Sequence, residues 1–221
     1  MNPTVVSRDE WLAARQELLV QEKELTKASD RVNAARRRLP MVRIDKAYVF
    51  EGPAGKTSLL DLFEGRRQLV VHHFMFADHP CSSCMSAADG ISGLRQLHAR
   101  GTTLAAVSRA PYPELAAFRE RMGWTFPWYS SHGGDFNDDF KATDRTEGEV
   151  PAISAFLRVG DDVFHTYSTY RRGIEEFHNG YRYLDLTALG RQEEWEEPKG
   201  RAEPLGMQVG GPNMRLPDQT R

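Results

Sequence analysis

The segment QLVVHHFMFADHPCSSC, Gln68 to Cys84, decides how the rest of the chain is read. Its first ten residues, Gln68 to Ala77, form a nearly continuous apolar run of the kind that fills a central strand buried on both faces. Asp78-His79-Pro80 turns the chain, and Cys81-Ser82-Ser83-Cys84 opens a stretch with helical periodicity. These are the only two cysteines in 221 residues. Two cysteines placed at random in such a chain fall three apart roughly once in a hundred cases, so the spacing points to a purpose. A Cys-x-x-Cys between strand and helix is what dithiol redox chemistry needs. His72 and His73 interrupt the apolar run, and because adjacent strand positions face opposite sides, at most one of them faces any given site.

Downstream of the cysteines, Cys84, Ala88, Ile91, Leu94, Leu97 and His98 fall on one helical face, with Gly90 and Gly93 allowing a bend. Thr102 to Val107 reads as a second buried strand and Ser108-Arg109-Ala110-Pro111 as a turn. A helix from Pro113 to Gly123 and a strand from Phe126 to Ser130 follow. Asn137 to Glu149 is polar and without a regular period. Ala152 to Val159 and Val163 to Tyr170, joined by Gly160-Asp161-Asp162, predict a β-hairpin opened by Pro151. Ile174 to Asn179 is a short helix candidate and Tyr181 to Leu186 a short aromatic segment.

Upstream, Tyr48 to Phe50 and Thr57 to Phe63 flank a turn at Glu51 to Lys56. The first forty residues differ in kind. Ser7 with Glu10 makes a capping box, and no proline or glycine interrupts the chain from there to Pro40. Trp11, Leu18, Leu25, Val32 and Leu39 recur every seven residues, so residues 1–40 predict one long helix with an apolar seam. Such a helix either lies across the protein's own globular part or acts as an arm that joins two copies of the chain in a homodimer. Residues 41–189 form the expected domain. Residues 190–221, with four prolines and five glycines, form a tail that lacks the apolar content to fold alone.

Net charge is −2, from 29 basic and 31 acidic residues, which gives no field for nucleic acid or anionic membrane. No run approaches the ~18 apolar residues of a spanning helix, and the N-terminus lacks a signal pattern, so the expected location is the cytoplasm. There, a cysteine pair serves catalysis or metal binding more often than a structural bridge.

The order of strand, Cys-x-x-Cys helix, strand, helix, strand and proline-led hairpin predicts an α/β fold with a mixed central sheet flanked by helices, the order of thioredoxin-like proteins. At the carboxyl end of the first buried strand, a helix N-terminus would stabilise a thiolate on Cys81. Cys84, one turn inward, would then attack a mixed disulfide on Cys81. The carboxyl ends of the neighbouring strands nominate Ser108 and Arg109, His132 and the Val150-Pro151 step as groups near the site, with Arg109, His132 and Pro151 as substrate-binding candidates. Tyr167, Tyr170 and Arg171, at the far end of the hairpin, are candidates for the mouth. Pro151 resembles the cis-proline that faces the cysteines in thioredoxin-like proteins, although sequence does not fix the isomer of its peptide bond.

The segments VVHHFMF, LAAVSRAP, RMGWTFPWYSS, GDFNDDF, VFHTYSTYRRG and YLDLT resemble an uncharacterised bacterial family, classed as thioredoxin-like and described as predicted dithiol-disulfide oxidoreductases. The resemblance runs from about Ser7 to Gly190. It implies a thioredoxin fold and assigns the two cysteines as the redox pair. Peroxiredoxins share that fold but place a proline and a threonine ahead of one peroxidatic cysteine, whereas Phe76-Ala77-Asp78-His79 precedes Pro80-Cys81 here. The function expected is thiol-disulfide exchange on a protein or small-molecule substrate, with no cofactor. The alternative is a copper site, carrier or oxidase, built from Cys81, Cys84 and a histidine: His132 by strand order, His165 by resemblance to copper-binding relatives of the fold, or His79, His72 or His73. A third reading is a binding scaffold whose thiols are incidental.

Overall fold

The computed structural model describes residues 3–76, 80–91, 93–144 and 146–200. Asp78 and His79 of the predicted turn, and most of the predicted tail, lie outside them. The chain divides into a first unit, Met1–Pro40, and a second that begins at Met41. In the first, Ser7 and Glu10 form the capping box at the start of α1 (Arg8–Arg36), with Glu10 accepting from the Ser7 backbone N–H at 2.9 Å. Its 29 residues span about 44 Å at ~1.5 Å each. None of them is buried, and the seam residue Leu25 is 71% exposed.

The second unit opens with β1 (Val42–Arg43), which the sequence reading did not predict, and continues with the hairpin β2 (Val49–Gly52) and β3 (Gly55–Ser58). After a 3-10 turn at Asp61–Phe63 come β4 (Gln68–His73) and α2 (Ser82–Asp89). Gly90 caps α2, and Gly93 adopts φ +66°, so the single bent helix of the sequence reading becomes two, with α3 (Arg95–His98) starting afresh. Then follow β5 (Thr102–Ser108), α4 (Tyr112–Met122, ended by Gly123 at φ +70°) and β6 (Trp128–Ser130). The polar stretch without a period folds into α5 (Phe136–Asp139) and a separate small hairpin, β7 (Thr143–Asp144) with β8 (Gly148–Glu149). The long hairpin β9 (Ala152–Val159) and β10 (Asp162–Tyr170), a 3-10 segment at Arg171–Phe177, and α6 (Asn179–Leu184) complete the unit.

The main sheet runs β1-β10-β9-β4-β5-β6-β2-β3. β4, β5 and β6 are parallel, while β9 pairs antiparallel with β4 and β10 antiparallel with β9. A parallel pair joined through the cysteine helix and extended by an antiparallel hairpin is the thioredoxin-like arrangement, and the chain has that fold. Alternation along the strands assigns a core to each face. Leu69, Val71, Ala105 and Val107 pack with Phe50, Phe136, Phe140 and Phe156 on one side. Phe74, Cys84, Ala106 and Trp128 pack with Leu115, Phe118 and Trp124 on the other. The Trp124 and Trp128 rings stack at 5.4 Å against the base of α2, and the Trp124 indole N–H donates to Asp89 at 2.8 Å, which fixes the end of that helix.

Candidate redox site

Cys81 stands where β4 hands over to α2. It is the N-cap residue in extended conformation, its backbone N–H donates to the Met75 carbonyl at 3.1 Å, and its own carbonyl accepts from the Met85 N–H at 2.9 Å. The two cysteines are both free thiols with unequal environments. Cys81 is partly exposed, whereas Cys84, one helical turn on, is fully buried beside Phe74 and Trp128.

The environments drive the thiols apart electrostatically. The Cys84 thiol donates to the Cys81 sulfur, and with the backbone N–H groups of Cys84 and Ser83 it outweighs burial and lowers Cys81 to about 6. The same bond, together with burial and the Cys81 charge, pushes Cys84 well above the ordinary thiol range. One proton is thus shared unequally: Cys81 is the thiolate and Cys84 the thiol at neutral pH.

A carboxylate that sequence reasoning missed completes the arrangement. Glu149, at the end of β8, accepts from the Phe76 backbone N–H at 2.9 Å through one oxygen, and its other oxygen is buried without a partner. Burial raises its pKa, opposed by the Phe76 N–H and by Arg109. Its charge acts on both sulfurs and raises both thiols. A carboxyl group held near the pair, with one unpaired oxygen, is equipped to take up and return a proton.

The predicted rim residues separate into two groups. Pro151 borders a cleft of about 320 Å³ with Ser83, Arg171, Arg172, Tyr181 and Trp195. Its carbonyl accepts from the Arg171 N–H at 2.8 Å, and Arg171 sits at φ +53° with its guanidinium on Glu147 at 2.6 Å. The Val150–Pro151 bond is trans, the one cis bond among the described residues being Glu197–Pro198. Arg172 lies over the Trp195 ring at 4.2 Å, and Arg191 over Tyr181 at 4.4 Å. Arg109 and His132 border a second cleft with Phe76 and Glu149, where the His132 Nδ1 meets the Arg109 carbonyl at 3.0 Å.

Tyr170 and His165 require correction. The Tyr170 hydroxyl donates to the Phe140 carbonyl at 3.1 Å, on the face opposite the cysteines. His165 packs against Phe140 and Phe156 on that same face. The cause is a bulge: β10 carries one extra residue between His165 and Tyr167, which reverses the alternation, so that Tyr170 and Ser168 turn to the side His165 already occupies. The alternative copper set of Cys81, Cys84, His132 and His165 is therefore not assembled, with the sheet between His165 and the thiols. His72 and His73 also part, as alternation requires: His73 faces the Phe136 side, and His72 the α2 side. Among the described residues no three His, Cys, Asp or Glu side chains converge as metal ligands. No helix among them is long and apolar enough to cross a membrane.

Solved structures similar to the chain include PrxQ from Xylella fastidiosa, at 15% identity and a TM-score of 0.46 over 66% of this chain and 94% of that one. The peroxidoxin BcpB from Mycobacterium tuberculosis, also at 15% identity, matches with a TM-score of 0.48 over 66% of this chain and 97% of its own. A Chlorobium tepidum protein assigned as the thiol:disulfide interchange protein DsbE matches at 14% identity and a TM-score of 0.43, over 69% of this chain and 99% of its own. No curated protein matches the sequence. A family of bacterial proteins of unknown function (DUF899) matches residues 1–211, and the chain belongs to that family.

Proposed function

We propose that the protein is a thiol-disulfide oxidoreductase in which Cys81 is the nucleophile, Cys84 the resolving thiol and Glu149 the proton acceptor. The observation that carries this reading is the split between the two cysteines, one partly exposed and lowered to about 6, the other buried and raised. The Cys81 thiolate attacks one sulfur of a substrate disulfide, forming a mixed disulfide and expelling the other sulfur as a thiolate, which takes a proton from water. The Cys84 thiol, no longer donating to a thiolate, gives its proton to Glu149 and attacks the Cys81 sulfur. A Cys81–Cys84 disulfide forms and the second substrate sulfur leaves, taking the proton back from Glu149. Two electrons pass from the dithiol to the substrate. The cleft bordered by Ser83 and Pro151 supports a peptide or small-molecule disulfide as the bound group, with Tyr181 and Trp195 as apolar surface and arginines as polar contacts.

The test is reduction of a mixed aromatic disulfide and of a disulfide-bonded peptide by the reduced protein. Wild type is expected to release two thiols per chain and end with one intramolecular disulfide. Cys84→Ser should release one thiol and retain the other half as an adduct on Cys81. Release of two thiols by Cys81→Ser, or an adduct on Cys84 in wild type, would overturn the assignment.

A further inference from the structure

A further cavity, of about 460 Å³, lies behind α2, on the cysteine face of the sheet, and neither cysteine lines it. Val70 and His72 of β4, Leu104 of β5 and Ile153 of β9 form one wall, while Ala87 of α2, its cap Gly90, residues between Ile91 and Leu97 that include Gln96, and Ile174, Phe177, His178 and Asn179 close the rest. No side chain with a full charge lines it.

Four polar side chains line it: the amides of Asn179 and Gln96, which bond the Gly90 carbonyl and Arg100, and two imidazoles. His72 is 3% exposed and its Nε2 has no hydrogen-bond partner; His178 is 1% exposed and neither ring nitrogen has one. Three unpaired polar atoms around one apolar space are unusual, because buried nitrogens that meet no partner in the protein generally meet one from outside it. Water is a poor candidate: the walls are mainly Val, Ile, Leu and Phe side chains, and large apolar cavities stay dry. A charged molecule would lose its hydration with no opposite charge to replace it. A pure hydrocarbon would fill the space and leave the imidazoles as they are. The volume falls in the range of small-molecule sites.

We infer that this cavity binds an uncharged, largely apolar small molecule through one hydroxyl or carbonyl group, which hydrogen-bonds His72 and His178. A neutral imidazole offers one N–H and one lone pair, so the two rings that line the cavity can donate to the ligand's oxygen and accept its proton. His178 and Ile174 also border the cleft beside Ser83 and Pro151, so an occupant would share a wall with the redox site. The inference does not rest on the thiol chemistry: the site is complete without either sulfur.

The experiment uses 2-naphthol as probe and naphthalene as its hydroxyl-free counterpart, with the full chain at neutral pH. Equilibrium dialysis should show saturable binding of 2-naphthol, at least tenfold tighter than naphthalene, about 1.4 kcal/mol. In His72→Phe and His178→Phe that preference should fall to within about twofold while naphthalene still binds. Leu104→Trp, which fills the space, should exclude both. Cys81→Ser should bind 2-naphthol as wild type does, so failure of the redox reading leaves this one standing. Because a cavity variant can fail to fold, the imidazole nitrogen resonances of His72 and His178 are followed in wild type, and both should shift on addition of 2-naphthol. Absence of saturable binding, unshifted imidazole resonances, or an unchanged preference in both histidine variants would overturn the inference.

Discussion

His72 and His73 are neighbours in one strand, yet the faces they look onto differ in how far buried polar groups are paired. On the Phe136 side, His73 meets the Ser154 hydroxyl at 2.9 Å, Ser154 meets Ser168 at 2.8 Å, and Ser168 meets His165 at 2.8 Å. This run is a linear chain of bonds within the core that leaves His73 Nδ1 buried without a partner, and the rings at its ends stack on or meet phenylalanines edge-on. On the α2 side, His72, His178, an oxygen of Glu149 and the paired thiols are buried or half-buried with bonding capacity left over. A buried polar group satisfied by its neighbours specifies packing, and one left open is available to a substrate or ligand. The number of buried polar atoms left open, one in the four-residue chain against three imidazole nitrogens and one carboxylate oxygen on the α2 side, separates scaffold from site.

The largest effect that tests this contrast is on the open face. Cys81→Ser is expected to reduce disulfide reduction at least a thousandfold while changing stability by less than about 1 kcal/mol, because the residue lies partly exposed at a helix start. A comparable loss of stability would place Cys81 among the structural groups.

Acid should act next. Burial holds His72 at about 4, helped by His178, and His73 at about 3, helped by His72 and His165. The unfolded chain takes up these protons near 6.5, so the contribution of the neutral rings is intact above that pH and is lost as pH falls toward 4 and 3. Between them the two residues give a slope approaching about 2.7 kcal/mol per pH unit near pH 5. Urea unfolding between pH 4 and 8 reads it directly, and a flat profile would show that the rings are not buried neutral.

Ser154→Val cuts the chain of bonds in its middle, leaving both His73 nitrogens without a partner and Ser168 with His165 alone. A loss of about 1–3 kcal/mol is expected, with the reactivity of Cys81 unaltered. The smallest effect belongs to Glu149→Gln. Loss of the carboxylate charge should lower the Cys81 midpoint by a fraction of a unit, since that charge raises it. It should also slow release from the mixed disulfide several-fold, seen as accumulation of the Cys81 adduct. A midpoint that rises would reverse the role given to Glu149.

Much of this was legible in the sequence. β4, β5 and the long hairpin announced themselves by apolar runs and β-branched residues, and Cys81 with Cys84 by spacing. The Val150–Pro151 step followed from strand order and Arg171 from its place at the far end of the hairpin, and Pro151 and Arg171 border the cleft with Ser83. Glu149 did not, because it lies in a polar stretch with no period and reaches Phe76 across 73 residues of chain. The signal that would have found it is its place two residues before Pro151, at the strand start already nominated to face the thiols. Only its place at the far end of the hairpin nominates Tyr170, and that position does not register the extra residue between His165 and Tyr167 that sets its face. His178 sits in a short segment whose local pattern says nothing of the cavity it closes.

The most direct measurement is the pH dependence of iodoacetamide alkylation of the native reduced protein, with each cysteine read separately by mass spectrometry. Cys81 should be alkylated with a midpoint near pH 6, and Cys84 should stay unmodified at pH 7 until the protein is unfolded. A Cys81 midpoint near 9, or modification of Cys84 at a similar rate in the native protein, would contradict the assignment of nucleophile and resolving thiol.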